Sequence, residues 1–183
     1  MTINRYSFLA FILLAIYISP AASEYFIGVD YSRFNIHFKN STIDTGFYEY
    51  QPRLRVGYRG DWSGFEINYL SDQDDTNVNG YLTYESGPAV GAYWYLHERW
   101  VYGKLGVLIT DSTLRINTTG VSQDHALTQF SAAIGVQFEL IDHLYINADY
   151  TYSYGEGEYR DILGTDDPRI ISHALAAGLT LGF

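Results

Sequence analysis

Cysteine is absent from the 183 residues, and basic residues are scarce. Without cysteine the chain has no disulfide framework and no thiol chemistry. Eleven Lys and Arg residues stand against 21 Asp and Glu, which gives a formal net charge of −10. This balance argues against a nucleic-acid partner, because nucleic-acid binding requires a basic surface. After residue 23 the sequence also lacks helical periodicity of useful length and any stretch that approaches the ~20 apolar residues of a membrane helix.

Residues 1–23 have the pattern of a secretory signal peptide. Arg5 supplies the positive charge, residues 8–18 form an apolar core, and residues 19–23 offer small side chains for cleavage. The apolar core is too short to span a bilayer as a helix. Cleavage is predicted to leave a mature domain of residues 24–183, in which 10 basic residues stand against 21 acidic residues.

The chain contains 18 Tyr, 10 Phe, 3 Trp and 17 Gly, a composition that favours strands over helices. Eight segments of the mature domain alternate between bulky apolar and small or polar residues, which is the period of a β-strand. They are residues 24–34, 49–59, 63–71, 87–96, 100–110, 127–139, 144–154 and 170–183. Pro52 lies inside the second segment, where it removes one hydrogen-bond donor from the ladder.

The connections between these segments alternate strictly in length. Tight turns are predicted at 60–62, 97–99 and 140–143, and long polar stretches at 35–48, 72–86, 111–126 and 155–169. Short turns on one side and long loops on the other are typical of an up-and-down barrel that spans a membrane. Strands of about ten residues, tilted near 45°, match the height of its apolar band. The predicted fold is therefore all-β: an eight-stranded antiparallel up-and-down transmembrane β-barrel.

Alternation alone leaves open which face points inward, since a soluble lipocalin-like barrel would bury its apolar face. Glycine decides the question, because the concave side of a small barrel is crowded and favours small residues. Glycines recur on the polar face of seven of the eight segments: Gly28, Gly57, Gly64, Gly91, Gly106, Gly135, Gly178 and Gly182. The bulky apolar face is also too large for such a narrow interior. We therefore expect it to face lipid.

Aromatic residues are predicted to form two belts at the opposite membrane interfaces, where amphipathic rings are favoured. The turn-end belt would contain Tyr58, Trp62, Trp94, Tyr95, Trp100, Tyr102 and Phe183. The loop-end belt would contain Tyr48, Tyr50, Tyr69, Tyr150, Tyr152 and Tyr154.

With this architecture, residues 24–183 resemble the small OmpA/OmpX-type outer-membrane barrel superfamily, here without a periplasmic domain. The last strand, which ends on Leu179, Leu181 and Phe183, resembles the signal that the barrel assembly machinery reads. The resemblance implies residence in the bacterial outer membrane. It also implies that outer-membrane lipids, lipopolysaccharide and that machinery are partners. We expect a monomer without a cofactor.

Charged residues on the inward face are predicted to form a paired network, because an unpaired buried charge is costly. They are Asp30, Arg53, Arg55, Arg59, Glu66, Lys104, Glu139 and Asp149. Such a network would act as a polar plug, or alternatively as a gate whose ion pairs rearrange to pass ions. An eight-stranded interior filled by side chains excludes a broad channel.

The long stretches carry mostly acidic residues, which is typical of a solvated surface. Residues 75–80 match the opening of a calcium loop, but Ser86 stands where the bidentate Glu is required, so no metal site is predicted. Ser172 and His173 are adjacent on one strand and point to opposite faces, so no catalytic residues are predicted. The favoured function is a non-enzymatic barrel for envelope structure or surface interaction such as adhesion or resistance. The alternatives are a narrow channel for ions or small apolar molecules and, less favoured, a lipid-A-modifying enzyme.

Overall fold

A computed structural model describes residues 24–39, 44–72, 76–77, 82–157 and 169–183. The predicted signal peptide lies outside the described residues. The strands are β1 (Glu24–Lys39), β2 (Asp44–Arg59), β3 (Ser63–Leu70), β4 (Thr76–Asn77), β5 (Leu82–Glu98), β6 (Val101–Ile116), β7 (Ser122–Ile141), β8 (Leu144–Glu156) and β9 (Arg169–Gly182). Across these ranges, no helix has the length and apolarity needed to cross a membrane.

All pairings are antiparallel, and the sheet closes on itself. The order is β3-β2-β1-β9-β8-β7-β6-β5-β4, and β3 also pairs with β5. β4 is a two-residue strand that pairs with β5 above the ring. The other eight strands form the closed up-and-down barrel that the sequence predicts. The two ends of the domain meet: the backbone amide of Phe183 donates to the carbonyl of Tyr25 at 2.8 Å, and that of Tyr25 donates back at 3.1 Å.

The barrel has a turn end and a loop end. Two tight turns at the turn end place a non-glycine residue in the left-handed region, Arg99 with φ 53° and His143 with φ 65°. Together with residues 60–62 they confirm the predicted tight turns. The connections after β1, β3, β6 and β8 lie at the loop end.

Burial alternates residue by residue and confirms that the bulky apolar face points outward. On β1, Gly28, Asp30 and Ser32 are buried, whereas Val29 and Tyr31 are exposed. Leu175, Leu179 and Leu181 on β9 and Phe130 and Ile134 on β7 are exposed in the same way. A barrel made for water would bury these side chains, since each costs about 1.5–3 kcal/mol to expose. The apolar outer wall therefore fits lipid.

The strands at the loop end are longer than predicted, so the bounds of the predicted stretches 35–48 and 111–126 are wrong. β1 continues to Lys39 and β6 to Ile116. The alternation between inward and outward positions continues there, but the chemical character of the two faces is exchanged. Ile36 and Phe38 are apolar, point inward and are buried, whereas His37 is polar, points outward and is exposed. Above the membrane, water replaces lipid outside the wall, so an apolar interior and a polar exterior become favourable.

The same extension explains Pro52. β2 pairs with β1 along its whole length, but its pairing with β3 ends at Arg53 opposite Leu70. Pro52 lies one residue beyond that point, where β2 has a strand partner on one side only among the described residues. A strand edge of this kind tolerates proline.

Candidate functional site in the barrel lumen

The middle of the lumen is filled by six charged side chains from five strands. Each is at most 4% exposed. They are Asp30 of β1, Arg53 and Arg55 of β2, Glu66 of β3, Lys104 of β6 and Asp149 of β8, here called the ion network. Three positive and three negative charges face one another across the barrel. Because successive side chains of a strand point to opposite faces, each of these six side chains points into the lumen. Closure of the barrel then brings them within contact distance of one another.

Two cations connect strands that are not neighbours in the sheet. Arg53 contacts Asp30 at 2.6 Å and Asp149 at 2.8 Å. Lys104 contacts Glu66 at 2.7 Å and Asp149 at 3.3 Å. Every charge of these contacts is desolvated, so the attraction is strong and the loss of any one partner is costly.

Arg55 closes the network on the remaining side. Its Nε lies 2.8 Å from Asp30, and its Nη1 lies 3.2 Å from Glu66. Its Nη2 donates hydrogen bonds to Asn147 at 2.8 Å and to Thr180 at 2.6 Å. The guanidinium fork thus engages two carboxylates and two neutral acceptors, an arrangement that a lysine could not reproduce.

The structure places two of the eight predicted network charges elsewhere. Arg59 lies nearer the turn end and contacts Glu24 at 2.8 Å and Gln137 at 2.8 Å. Glu139 is exposed and accepts a hydrogen bond from the backbone amide of His143 at 3.0 Å. Glu139 pairs with Tyr145 at the turn end of β7, so it lies beyond the ion network and not within it.

Tyr95 and Tyr102 were expected in the turn-end belt, and that expectation is wrong. Both are buried in the lumen, 3% and 2% exposed. The Tyr102 hydroxyl donates to Asp149 at 3.1 Å, and its ring lies 4.9 Å from the Lys104 ammonium. Gly135 faces this ring so closely that a β-carbon there would lie 2.3 Å from it. The inward glycine therefore makes room for the aromatic ring.

Above the ion network the lumen becomes apolar. A cluster of buried residues lines this part, here called the vestibule: Phe34, Ile36, Phe38, Phe47, Leu70, Tyr84, Ala89, Leu108, Leu114, Leu127, Ile170 and Ala174. The rings of Phe38, Phe47 and Tyr84 pack together with centroids 4.9–5.8 Å apart. The vestibule encloses a cavity of about 20 Å³, enough for one water molecule, and the polar side chains of Glu49, Gln51 and Ser86 also line it.

Glu49 borders this cavity and is 2% exposed. Among the described residues it has no cationic partner, and its Oε1 has no hydrogen-bond partner. Its Oε2 accepts a long hydrogen bond of 3.4 Å from Gln51. Glu49 lies in the predicted segment 49–59 and has the inward parity of Arg53, but it was not predicted to belong to the network. The vestibule was not predicted because residues 35–48 were assigned to a loop. The inward parity of Phe34, Ile36 and Phe38 is the signal that could have revealed it.

The residues considered for catalysis or metal binding do not assemble into a site in the described part of the chain. Ser172 is buried in the lumen, whereas His173 lies on the outer wall with its Nδ1 hydrogen-bonded to the Tyr150 hydroxyl. The described ranges contain no group of three or more His, Asp or Glu side chains that could hold a metal ion. Most of the calcium-like stretch 75–80 lies outside them.

The closed barrel, its apolar outer wall and its charged lumen define a transmembrane β-barrel. Residues 7–183 match the model of the family described as outer membrane protein beta-barrel domain. The chain therefore belongs to this family and is a protein of the bacterial outer membrane.

Solved structures share the fold at low sequence identity. Neisserial surface protein A has a TM-score of 0.56 at 16% identity, covering 87% of this chain and 97% of its own. OprG from Pseudomonas aeruginosa has a TM-score of 0.57 at 14% identity, covering 88% and 96%. Ail, the attachment invasion locus protein of Yersinia pestis, has a TM-score of 0.54 at 18% identity, covering 87% and 99%. No curated protein sequence matches significantly.

Proposed function

We propose that this protein is a closed, non-enzymatic outer-membrane barrel that serves envelope structure or surface interaction through its loop end. The ion network is the observation that carries this proposal. Six desolvated charges link five strands across the lumen, and moving any of them aside would leave its partner buried and unpaired. Function in such a barrel belongs to the surface that it exposes.

Two of the structural neighbours carry names that fit this role. One is a surface protein, and the other is an attachment invasion locus protein whose structure was also determined with the heparin analogue sucrose octasulfate. A comparable surface role for this chain is part of the proposal. Its partners would be outer-membrane lipids, lipopolysaccharide and the barrel assembly machinery. Leu179, Leu181 and Phe183, all exposed at the end of β9, would form the assembly signal of a monomeric barrel.

Conductance across a planar lipid bilayer tests the closed state. The refolded protein should give no discrete current steps above the bare bilayer. A variant in which Arg53 and Arg55 are both replaced by alanine removes the two guanidinium groups that cross the lumen, and it should conduct if it folds. Stepwise conductance by the unchanged protein would overturn the closed barrel.

A second function, passage of small apolar molecules, is favoured by one specific arrangement. The vestibule is apolar, and β2 above Arg53 has no second strand partner among the described residues. Methyl NMR with naphthalene as the probe tests this candidate. Saturable shifts at Leu70, Leu108 and Leu127, without shifts at the outward-facing Leu181, would support a vestibule site. Equal shifts at all four would show partition into detergent and reject it.

A further inference from the structure

The outer wall at the loop end carries a group of bases on two neighbouring strands. Arg33, His37 and Lys39 point outward from β1, and Arg169 and His173 point outward from β9. In the β1–β9 register Lys39 lies opposite Arg169, and Asn35 lies opposite His173. We call Arg33, Asn35, His37, Lys39, Arg169 and His173 the basic patch.

In the described part of the loop end, the basic patch lies on one wall of an acidic protein. Among the described residues of the loop end, the other outward-facing base is Arg115 on β6, diametrically opposite in the ring of eight strands. The wall around Arg115 is acidic, since Glu85, Asp111 and Asp124 are exposed there. Apart from Arg115, the described bases of the loop end thus gather on the wall formed by β1 and β9, where Asp44 and Glu156 flank them.

Arg33 of the basic patch contacts aromatic rings of the loop-end belt. Its guanidinium lies over the ring of Tyr48 at 4.4 Å and near that of Tyr50 at 5.9 Å. Within the described ranges it contacts no carboxylate. Its cross-strand neighbours are Tyr50 and Leu175, so it lies at the height of the loop-end belt. An arginine at this interfacial height can place its guanidinium among the head groups, where water or an anionic group contacts it.

His173 is held next to this position. Its Nδ1 is hydrogen-bonded to the Tyr150 hydroxyl, and its ring packs edge-on against Tyr152 at 5.2 Å. Because Asn35 lies opposite His173 and two residues along β1 from Arg33, the three side chains share one face. They provide a guanidinium, an amide and an imidazole on the outer wall, beside the tyrosines of the loop-end belt.

Above them, two cations face each other. Lys39 and Arg169 are direct cross-strand neighbours, a like-charge pairing that is unfavourable in a sheet. Each base also has a carboxylate on its other side: Asp44 lies opposite Lys39 at 3.7 Å, and Glu156 lies opposite Arg169 in the β8–β9 register.

We infer that the basic patch binds a phosphate group of lipopolysaccharide in the outer leaflet, with Arg33, Asn35 and His173 as the primary contacts. The guanidinium fork suits a phosphate, and the tyrosines of the belt set the height of the head group. Lys39 and Arg169 lie farther toward the loop end, where the sugars of the bound lipopolysaccharide would extend. This inference rests on the outer-membrane location and not on the closed state of the lumen, so a conducting lumen would leave it unaffected.

Native mass spectrometry of the refolded protein in maltoside micelles, which contain no phosphate, tests the site. Bis-phosphorylated lipid A is the probe. The Arg33→Gln variant should weaken binding at least tenfold, and Arg33→Lys should retain part of it. Arg115→Gln, which removes the same charge from the opposite wall, should change binding less than twofold. Heat-modifiability on a denaturing gel shows that each variant is folded.

Three outcomes would overturn the inference. Equal losses in Arg33→Gln and Arg115→Gln would show that only net charge matters. Equal binding of dephosphorylated lipid A would show that acyl chains alone are recognised. Equal binding of glucosamine phosphate would show a free-anion site without a lipid. A tenfold loss in Arg33→Gln confined to the phosphorylated lipid would support the site.

Discussion

Replacement of Lys104 by methionine should destabilise the barrel severely. The Lys104 ammonium lies 2.7 Å from Glu66 and 3.3 Å from Asp149, and all three side chains are at most 2% exposed. Methionine fills a similar volume but leaves the ion network with three carboxylates and two cations. Breaking a buried ion pair by removing one partner costs about 3–5 kcal/mol. That is a large part of the 5–15 kcal/mol that typically stabilises a folded domain.

Urea unfolding in lipid vesicles, followed by tryptophan fluorescence, measures this cost. Adding Glu66→Gln to Lys104→Met restores equal numbers of opposite charges and should recover most of the loss, as a double-mutant cycle would show. The control is Lys39→Met, which breaks an exposed 3.7 Å pair with Asp44 and should cost at most about 1 kcal/mol. If Lys104→Met costs no more than this control, the ion network does not hold the barrel together.

Three further changes test other parts of the structure. Gly135→Ala should cost about 1–3 kcal/mol because its β-carbon would meet a buried phenol ring at 2.3 Å, whereas Gly103→Ala, with its nearest neighbour at 3.8 Å, should be almost neutral in urea unfolding. Glu49→Met should raise stability by about 1–3 kcal/mol by removing a buried carboxylate with an unpaired oxygen, and an unchanged or lower urea midpoint would contradict this. The 3.0 Å hydrogen bond to Glu24 raises the pKa of His143 above 6.5, so the pair's contribution is fully present below pH 6.5 and is lost as pH rises through the raised pKa. NMR titration should show that pKa fall toward 6.5 in Glu24→Gln, and no change would refute the assignment.

The fold could be predicted from the sequence because its main determinants are local. A period of two along each segment places side chains on two faces, and the glycines of one face mark the crowded side. Closure followed from a physical requirement, since an open sheet edge cannot exist in hydrocarbon. Strand ends were predicted less well. Above the membrane the apolar residues of β1, such as Ile36 and Phe38, lie on the inner face. A strand defined by apolar residues on its outer face therefore ends too early in the prediction.

The contacts between charges in the lumen could not be predicted from the local sequence pattern. Parity placed Arg53 and Asp149 on the inward face, but 96 residues separate them, and only the stagger of the closed strands brings them to 2.8 Å. The exposed position of Glu139 at the turn end is likewise invisible in the alternation. The burial of Glu49 without a cationic partner among the described residues depends on side chains of several strands that surround it. The sequence by itself determined which face most residues of the predicted strands occupy, because strand geometry is local. The tertiary structure decided which charges meet across the lumen, because that depends on strand stagger and closure.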